Sequence, residues 1–173
     1  GQVYTHGNPN TKKSAICINF SDYKLKLKKV SEGGVKIDTL NIFVTLYDLK
    51  ESSDLVKKLY DMGHLIGLRC DENDYNIPQT FKEASDFYLK VIGSKPLCYH
   101  TGIDYSGRHP SCYHAATILD MKSITWSTIV TSMSSTDYVT KDLTKHNGGS
   151  IVYLGTSNED VLIKVFSIFK DHG

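Results

Sequence analysis

Leu55-Val56-Lys57-Lys58-Leu59-Tyr60-Asp61-Met62, followed at once by Gly63-His64-Leu65-Ile66-Gly67-Leu68, is the stretch that decides the fold class. Its first half carries apolar residues at helical spacing, with Leu55, Val56, Leu59 and Met62 expected inward, and Ser52 or Ser53 stands ahead as a cap. Gly63 supplies the stop, and the run from His64 to Leu68 is continuous and apolar enough to read as a buried strand.

Working outward, the same alternation fills the chain. Ser14 to Phe20, Asn41 to Leu46, Ser123 to Trp126 and Ser150 to Leu154 are strand-length runs of β-formers, and a further strand leads to Tyr99. Thr80 with Glu83 reads as a capping box for a helix carrying Phe81, Ala84, Phe87, Tyr88 and Val91, which Gly93 ends. Asp137 is placed to cap a helix with Val139 and Leu143 that runs out at Gly148-Gly149. Ser157 is placed to open a last helix with Val161, Leu162, Val165, Phe166 and Phe169 as its core stripe. Continuous apolar strands alternating with helices imply a parallel α/β sheet covered on its faces, either a barrel or a doubly wound sheet. In both, ligand sites gather at the C-terminal ends of the strands, here 20–24, 68–73, 99–105, 127–133 and 155–157.

Bulk properties narrow the classes. The 173 residues suit one domain, with 40% hydrophobic and 23% charged residues as in an ordinary globular protein. A formal charge of +1 argues against a dedicated nucleic-acid binder. No run is long and apolar enough to span a bilayer or to read as a signal peptide, and a start at Gly1 says nothing of a precursor. Cys17, Cys70, Cys98 and Cys112 make no CxxC pair, which speaks against a zinc ribbon. Cys17 reads as a buried small hydrophobe, and Cys98 and Cys112 are near enough in sequence to close a small loop in an oxidising compartment.

The strand ends carry the specific signal. Ile18-Asn19-Phe20-Ser21-Asp22, the helix to Met62 with Gly63-His64-Leu65-Ile66-Gly67, Gly93-Ser94-Lys95-Pro96, Ile124-Thr125-Trp126-Ser127 and Gly149 to Leu154 form an ordered set. This set resembles the polysaccharide deacetylase (NodB-homology, chitin deacetylase-like) family of carbohydrate esterases, from about Ser14 to Gly173. The resemblance implies a distorted (β/α) barrel over 14–173, with 1–13 as an N-terminal extension, and an extracellular, wall or surface location. It also implies deacetylation of N-acetylglucosamine polymers, with zinc held by one Asp and two His, a second Asp as base and a C-terminal His as acid. Zinc in such a site lowers the pKa of its water and polarises the amide carbonyl.

Residue by residue, that machinery is replaced. The paired aspartates of the first motif fall on Ser21 and Asp22, followed by Tyr23-Lys24 rather than Gly-Pro, so the base position is a serine and only the metal-binding aspartate is kept. The two histidine ligands fall on Arg69 and Asn73 within Leu68-Arg69-Cys70-Asp71-Glu72-Asn73, while His64 matches a structural histidine. An Arg-Pro-Pro-Tyr run falls on His100-Thr101-Gly102-Ile103, and a downstream Asp-Trp falls on Ser132-Met133 although Trp126-Ser127 is kept. The acid histidine falls on Gly155. A guanidinium has no lone pair for a metal, and two unit charges at contact repel by about 4 kcal/mol at an effective dielectric near 20, roughly doubled for a dication. The expectation is a degenerate member with no catalytic residue and no zinc, Arg69 pairing instead with Asp22.

Other residues carry readings independent of the resemblance. His100, Asp104, His109 and His114 can be read as an acid–base or metal cluster, though solvated or backbone-bonded polar groups are the more frequent case. Ser21 lacks the Gly-x-Ser-x-Gly elbow of a serine esterase. Lys24, Lys26, Lys28 and Lys29 suit a solvated face or contact with an anionic wall polymer. Of the 11 tyrosines, Tyr23, Tyr75, Tyr99 and Tyr105 fall near the expected cleft, as core-boundary residues or as stacking platforms for sugars. The Asn19-Phe20-Ser21 sequon lies in a core strand and is expected to stay unglycosylated. The leading functional reading is an inactive deacetylase-like domain that binds chitin-like glycan or wall proteins. A weak or altered hydrolase and a purely structural interaction domain are the alternatives.

Overall fold

The computed structural model describes residues 3–4, 15–28, 39–70, 77–100, 110–124, 126, 128–131, 137, 141, 151–155 and 158–172. They fall into two compact units, one built from residues 1–4 and 41–125 and the other from 5–40 and 126–173.

The first unit holds β1 (Val3–Tyr4), β3 (Asn41–Val44), α2 (Leu46–Glu51), α3 (Ser53–Asp61), β4 (Leu65–Arg69), α4 (Ile77–Ile92), β5 (Cys98–His100), α5 (Pro110–Ile118) and β6 (Lys122–Ile124). Its strands pair in parallel in the order β1-β6-β5-β4-β3. The opening stretch behaves as read: α3 buries Val56 and Leu59, Gly63 takes φ 98°, and β4 follows with Ile66, Gly67 and Leu68 buried. Met62, expected inward, is 60% exposed, because the helix ends at Asp61 and the chain turns away through Gly63. Val3–Tyr4, inside the stretch read as an extension, pair with Ser123–Ile124.

Two helix starts differ from the sequence reading. Between β3 and α3 the chain forms an additional short helix, α2, whose cap is Thr45. The Thr45 hydroxyl accepts from the Asp48 amide at 3.2 Å, and the Asp48 carboxylate accepts from the Thr45 amide at 2.9 Å, a reciprocal capping box. The long helix α4 begins at Ile77, one turn before Thr80, so Thr80 and Glu83 are interior residues rather than a cap. Its buried stripe is Ile77, Phe81, Ala84, Ser85, Tyr88 and Ile92, with Phe87 and Val91 at the margin. The Tyr88 hydroxyl donates to the Ile66 carbonyl at 2.7 Å, fastening helix to strand.

The second unit holds β2 (Ala15–Asn19), the one-turn α1 (Phe20–Asp22) continuing as a π-helical turn over Tyr23–Leu27, β7 (Thr128–Val130), β8 (Ile151–Leu154) and α6 (Glu159–His172). Its strands lie parallel in the order β2-β8-β7, with Ile18 opposite Leu154 and Val130 opposite Leu154. Cys17 is buried and takes no part in a disulfide, as expected of a small hydrophobe. Asn158 caps α6, its side-chain oxygen accepting from the amides of Asp160 and Val161. Ser157, read as the opener, lies outside the described residues, as does most of the expected helix after Asp137.

Burial is concentrated in the strands. Ile18, Ile42, Val44, Leu68, Val130, Val152 and Leu154 in the strands, and Leu40 just before β3, expose nothing, as parallel strands covered on both faces require.

Candidate functional site

In the first unit the C-terminal ends of β3, β4 and β5 supply Thr45, Arg69 and Cys70, and His100. A cavity of about 410 Å³ opens beside them, lined by Thr45, Leu46, Tyr47, Lys50, Arg69, Cys70, Ile77, Thr80, Phe81 and Ala84. Phe81, Ile77, Leu46 and Ala84 form an apolar wall, and Tyr47 is 72% exposed. The Lys50 ammonium is spoken for: it sits 2.8 Å from the Glu83 carboxylate and 5.2 Å from the centre of the Phe87 ring. Arg69 differs: its Nε is shut off from water without a hydrogen-bond partner, and no ion pair among the described residues includes it.

His100 is wholly buried and stands edge-on to Phe43, ring centres 4.5 Å apart. That contact depends on Gly67, opposite Phe43 in the β3–β4 pair. A Cβ on Gly67 would lie 2.6 Å from Phe43 Cε1 and 3.0 Å from Cys98 Sγ. His114, read with His100 as a cluster, is exposed on α5, so one imidazole lies inside the protein and the other in solvent. His64 is buried at the helix-to-strand junction, and burial lowers its pKa, as suits a structural histidine.

Cys112 pairs with Cys70, not with Cys98. Cys70 follows β4 and Cys112 lies near the start of α5, so the bond ties the strand end beside the cavity to the helix. Cys98 is free within β5, and burial pushes its thiol up to about 11. Proximity in sequence misled here, because a β-strand and the following helix point Cys98 and Cys112 into different layers.

The second unit presents the ends of β2 and β8. Ser21 is exposed and Asp22 half-buried on α1. Asn19 is buried and its amide donates to the Tyr153 hydroxyl at 2.6 Å, which leaves the sequon nitrogen inside the protein. Trp126 is buried and stacks on Tyr153, ring centres 4.1 Å apart and 14° from parallel. Gly155 is exposed at the end of β8, its amide donating to the Val130 carbonyl at 2.8 Å. A Cβ there would meet Tyr153 Cε1 at 3.3 Å. Tyr153 therefore fills the space next to the position where the resemblance puts an acid histidine.

Asn73, Thr101 to Asp104, His109, Ser127, Ser132, Met133, Tyr75 and Tyr105 lie outside the described residues. Asp22 and Arg69 belong to different units. Sequence reasoning passed over Thr45, Tyr47 and Lys50, although Thr45-x-x-Asp48 is a readable capping signature that ends the strand at Val44 and brings α2 over the cavity. The pairing of Asn19 with Tyr153 had no local signal, since 134 residues separate them.

The sequence matches no protein-family model and no curated protein. The fold does match solved structures. A family 4 carbohydrate esterase pseudoenzyme from Bacillus anthracis superposes with a TM-score of 0.69 at 16% identity, covering 99% of this chain and 65% of that one. A mutant of that pseudoenzyme, described as having restored enzymatic activity, gives 0.69 at 15% identity over 99% of this chain and 67% of that one. A peptidoglycan N-acetylglucosamine deacetylase bound to a hydroxybenzamide-type ligand gives 0.68 at 16% identity over 98% and 86%. The chain thus spans about two thirds of the pseudoenzyme's length. The fold is the α/β, distorted (β/α)-barrel type of the polysaccharide deacetylases, as the order of the motifs implied.

The described residues at the positions where the resemblance puts zinc ligands do not have the chemistry of a zinc site. Among the described positions of the motif set, Asp22 is the one that offers a carboxylate, Ser21 offers a neutral hydroxyl, and Arg69 offers a permanent cation without a lone pair.

Proposed function

We propose that this chain is a catalytically inactive deacetylase-fold domain that binds glycan, of the chitin or peptidoglycan type, or wall partners at a cell surface. The observation that carries this reading is Arg69 at the C-terminal end of β4. A guanidinium stands where the resemblance puts an electron-donating metal ligand, and no ion pair among the described residues includes it. At the other strand end, Gly155 offers no proton donor, and Tyr153 crowds the space beside it. The pseudoenzyme among the similar structures supports the idea that this fold persists without its chemistry. The Cys70–Cys112 disulfide supports an oxidising, extracellular compartment.

The test is a metal analysis of purified protein alongside acetate release from acetylated chitooligosaccharides with added zinc, cobalt or manganese, and pull-down on insoluble chitin and peptidoglycan. Absence of both stoichiometric metal and acetate, with retention on either polymer, is expected. About one metal per chain with acetate release would overturn the reading and send the search for ligands to the segment from His100 to His114.

A further inference from the structure

From Arg69 and the cavity beside it, we infer a binding site for a carboxylate-bearing sugar ring. The inference deepens the glycan-binding reading and rests on it for the sugar, but not for the charge. Arginine in a protein interior is ordinarily matched by a carboxylate or by several carbonyls. Arg69 has neither among the described residues of its unit, and its Nε is buried without a partner. Such a group is kept at a cost to stability, and partial burial strengthens its pull on an incoming anion relative to a fully solvated arginine.

The rest of the cavity gives the occupant its shape. A volume of about 410 Å³ is within the range of small-ligand sites and holds one substituted ring rather than a polymer segment. The apolar wall of Ile77, Phe81 and Ala84 suits the hydrophobic face of a pyranose, and the well-exposed Tyr47 offers a second surface. Lys50 adds no net charge, since Glu83 already holds it, so the cation that an anion would meet among the described lining residues is Arg69. A planar guanidinium pairs better with a carboxylate than an ammonium does, because its fork of donors matches the two oxygens. A uronic acid or a lactyl-substituted amino sugar has this chemistry, and a neutral N-acetylglucosamine does not.

The experiment uses the whole chain and reads binding by titration calorimetry or ligand-observed NMR. The probes are D-glucuronate, its methyl ester, D-glucose, benzoate and inorganic phosphate. Glucuronate is expected to bind in the millimolar range, with the ester and glucose roughly tenfold to a hundredfold weaker, the loss of one charge-assisted contact. Arg69→Met, which keeps the apolar stem, is expected to lose that preference while its melting temperature stays level or rises. The ester comparison needs no variant, so a folding defect in Arg69→Met cannot hide the answer. Equal binding of glucuronate and its ester, or a preference for phosphate or benzoate over glucuronate, overturns the inference. Retention on chitin that survives Arg69→Met leaves the general glycan reading standing and sinks this one. Glucuronate binding without retention on either wall polymer does the reverse.

Discussion

The strand ends of the two units are finished in opposite ways. In the second unit, Asn19, Tyr153 and Trp126 close over β2 and β8 with a buried hydrogen bond and a stacked ring pair. In the first, the described residues at the ends of β3 and β4 line a cavity, Arg69 Nε is buried there without a hydrogen-bond partner, and a disulfide ties the strand end to α5. Both sets of strand ends sit where ligand sites gather in parallel sheets. One is occupied by the protein's own side chains, and at the other the described residues line a cavity. Strand ends of the same kind can therefore be finished differently within one chain.

The contrast can be broken or sharpened by substitution. The largest effect is expected from Trp126→Ala, which removes a buried indole and its stacking partner's support, at a cost of about 3–5 kcal/mol. Denaturant unfolding followed by circular dichroism measures it; a loss under about 1 kcal/mol would mean that the second unit is not closed by this pair.

Next comes the disulfide. Cys112→Ser opens a loop of 42 residues, and chain entropy sets its contribution near 4 kcal/mol. The single tryptophan lies in the second unit, so its fluorescence reports on that unit, while amide exchange in α5 and β4 reports on the first. Reduction is expected to raise exchange in α5 and β4 at reductant levels that leave the fluorescence unchanged. Simultaneous loss of both signals would show that the disulfide secures the whole chain and not the open rim.

Gly67→Ala tests the close approach of Phe43. The added methyl meets the ring well inside contact distance, and a cost of about 1–3 kcal/mol is expected, with loss of the shifted His100 ring resonances. Tyr153→Phe removes the buried hydrogen bond from the Asn19 amide and should cost roughly 1–2 kcal/mol while keeping the stack on Trp126. An unchanged stability would mean that another group takes the amide.

The smallest effect is a pH dependence in the first unit. Burial disfavours the thiolate and pushes the Cys98 thiol up to about 11, above the ordinary thiol range. Above pH 9 the unfolded chain gives up that proton while the folded chain holds it, so stability falls as pH rises from 9 towards 11. Cys98→Ala should flatten that decline, and iodoacetamide at pH 8 should leave Cys98 unmodified until the protein is unfolded.

Much of this protein is legible along the chain because its signals are local. A helix of Leu55 to Met62, a glycine and an apolar strand are read from neighbouring residues, and a strict order of such pieces with identifiable strand ends leads to the deacetylase fold. The chemistry of Arg69 and Gly155 is equally local, since a guanidinium and a missing side chain are the same in any surroundings. What depends on folding is everything set by distance through space. Sequence nearness suggested Cys98 for Cys112, but the layering of β5 and α5 brings Cys70 there instead. His100 carries the composition of a reactive group, and the ring of Phe43 passing over Gly67 makes it an interior one. Tyr153 meets Asn19 across 134 residues, and α2 comes over the cavity because Thr45 and Asp48 cap each other one turn earlier than the strand pattern implied. Local physics writes the elements in their order; packing, which acts between residues far apart in the chain, decides which recess is filled and which stays open.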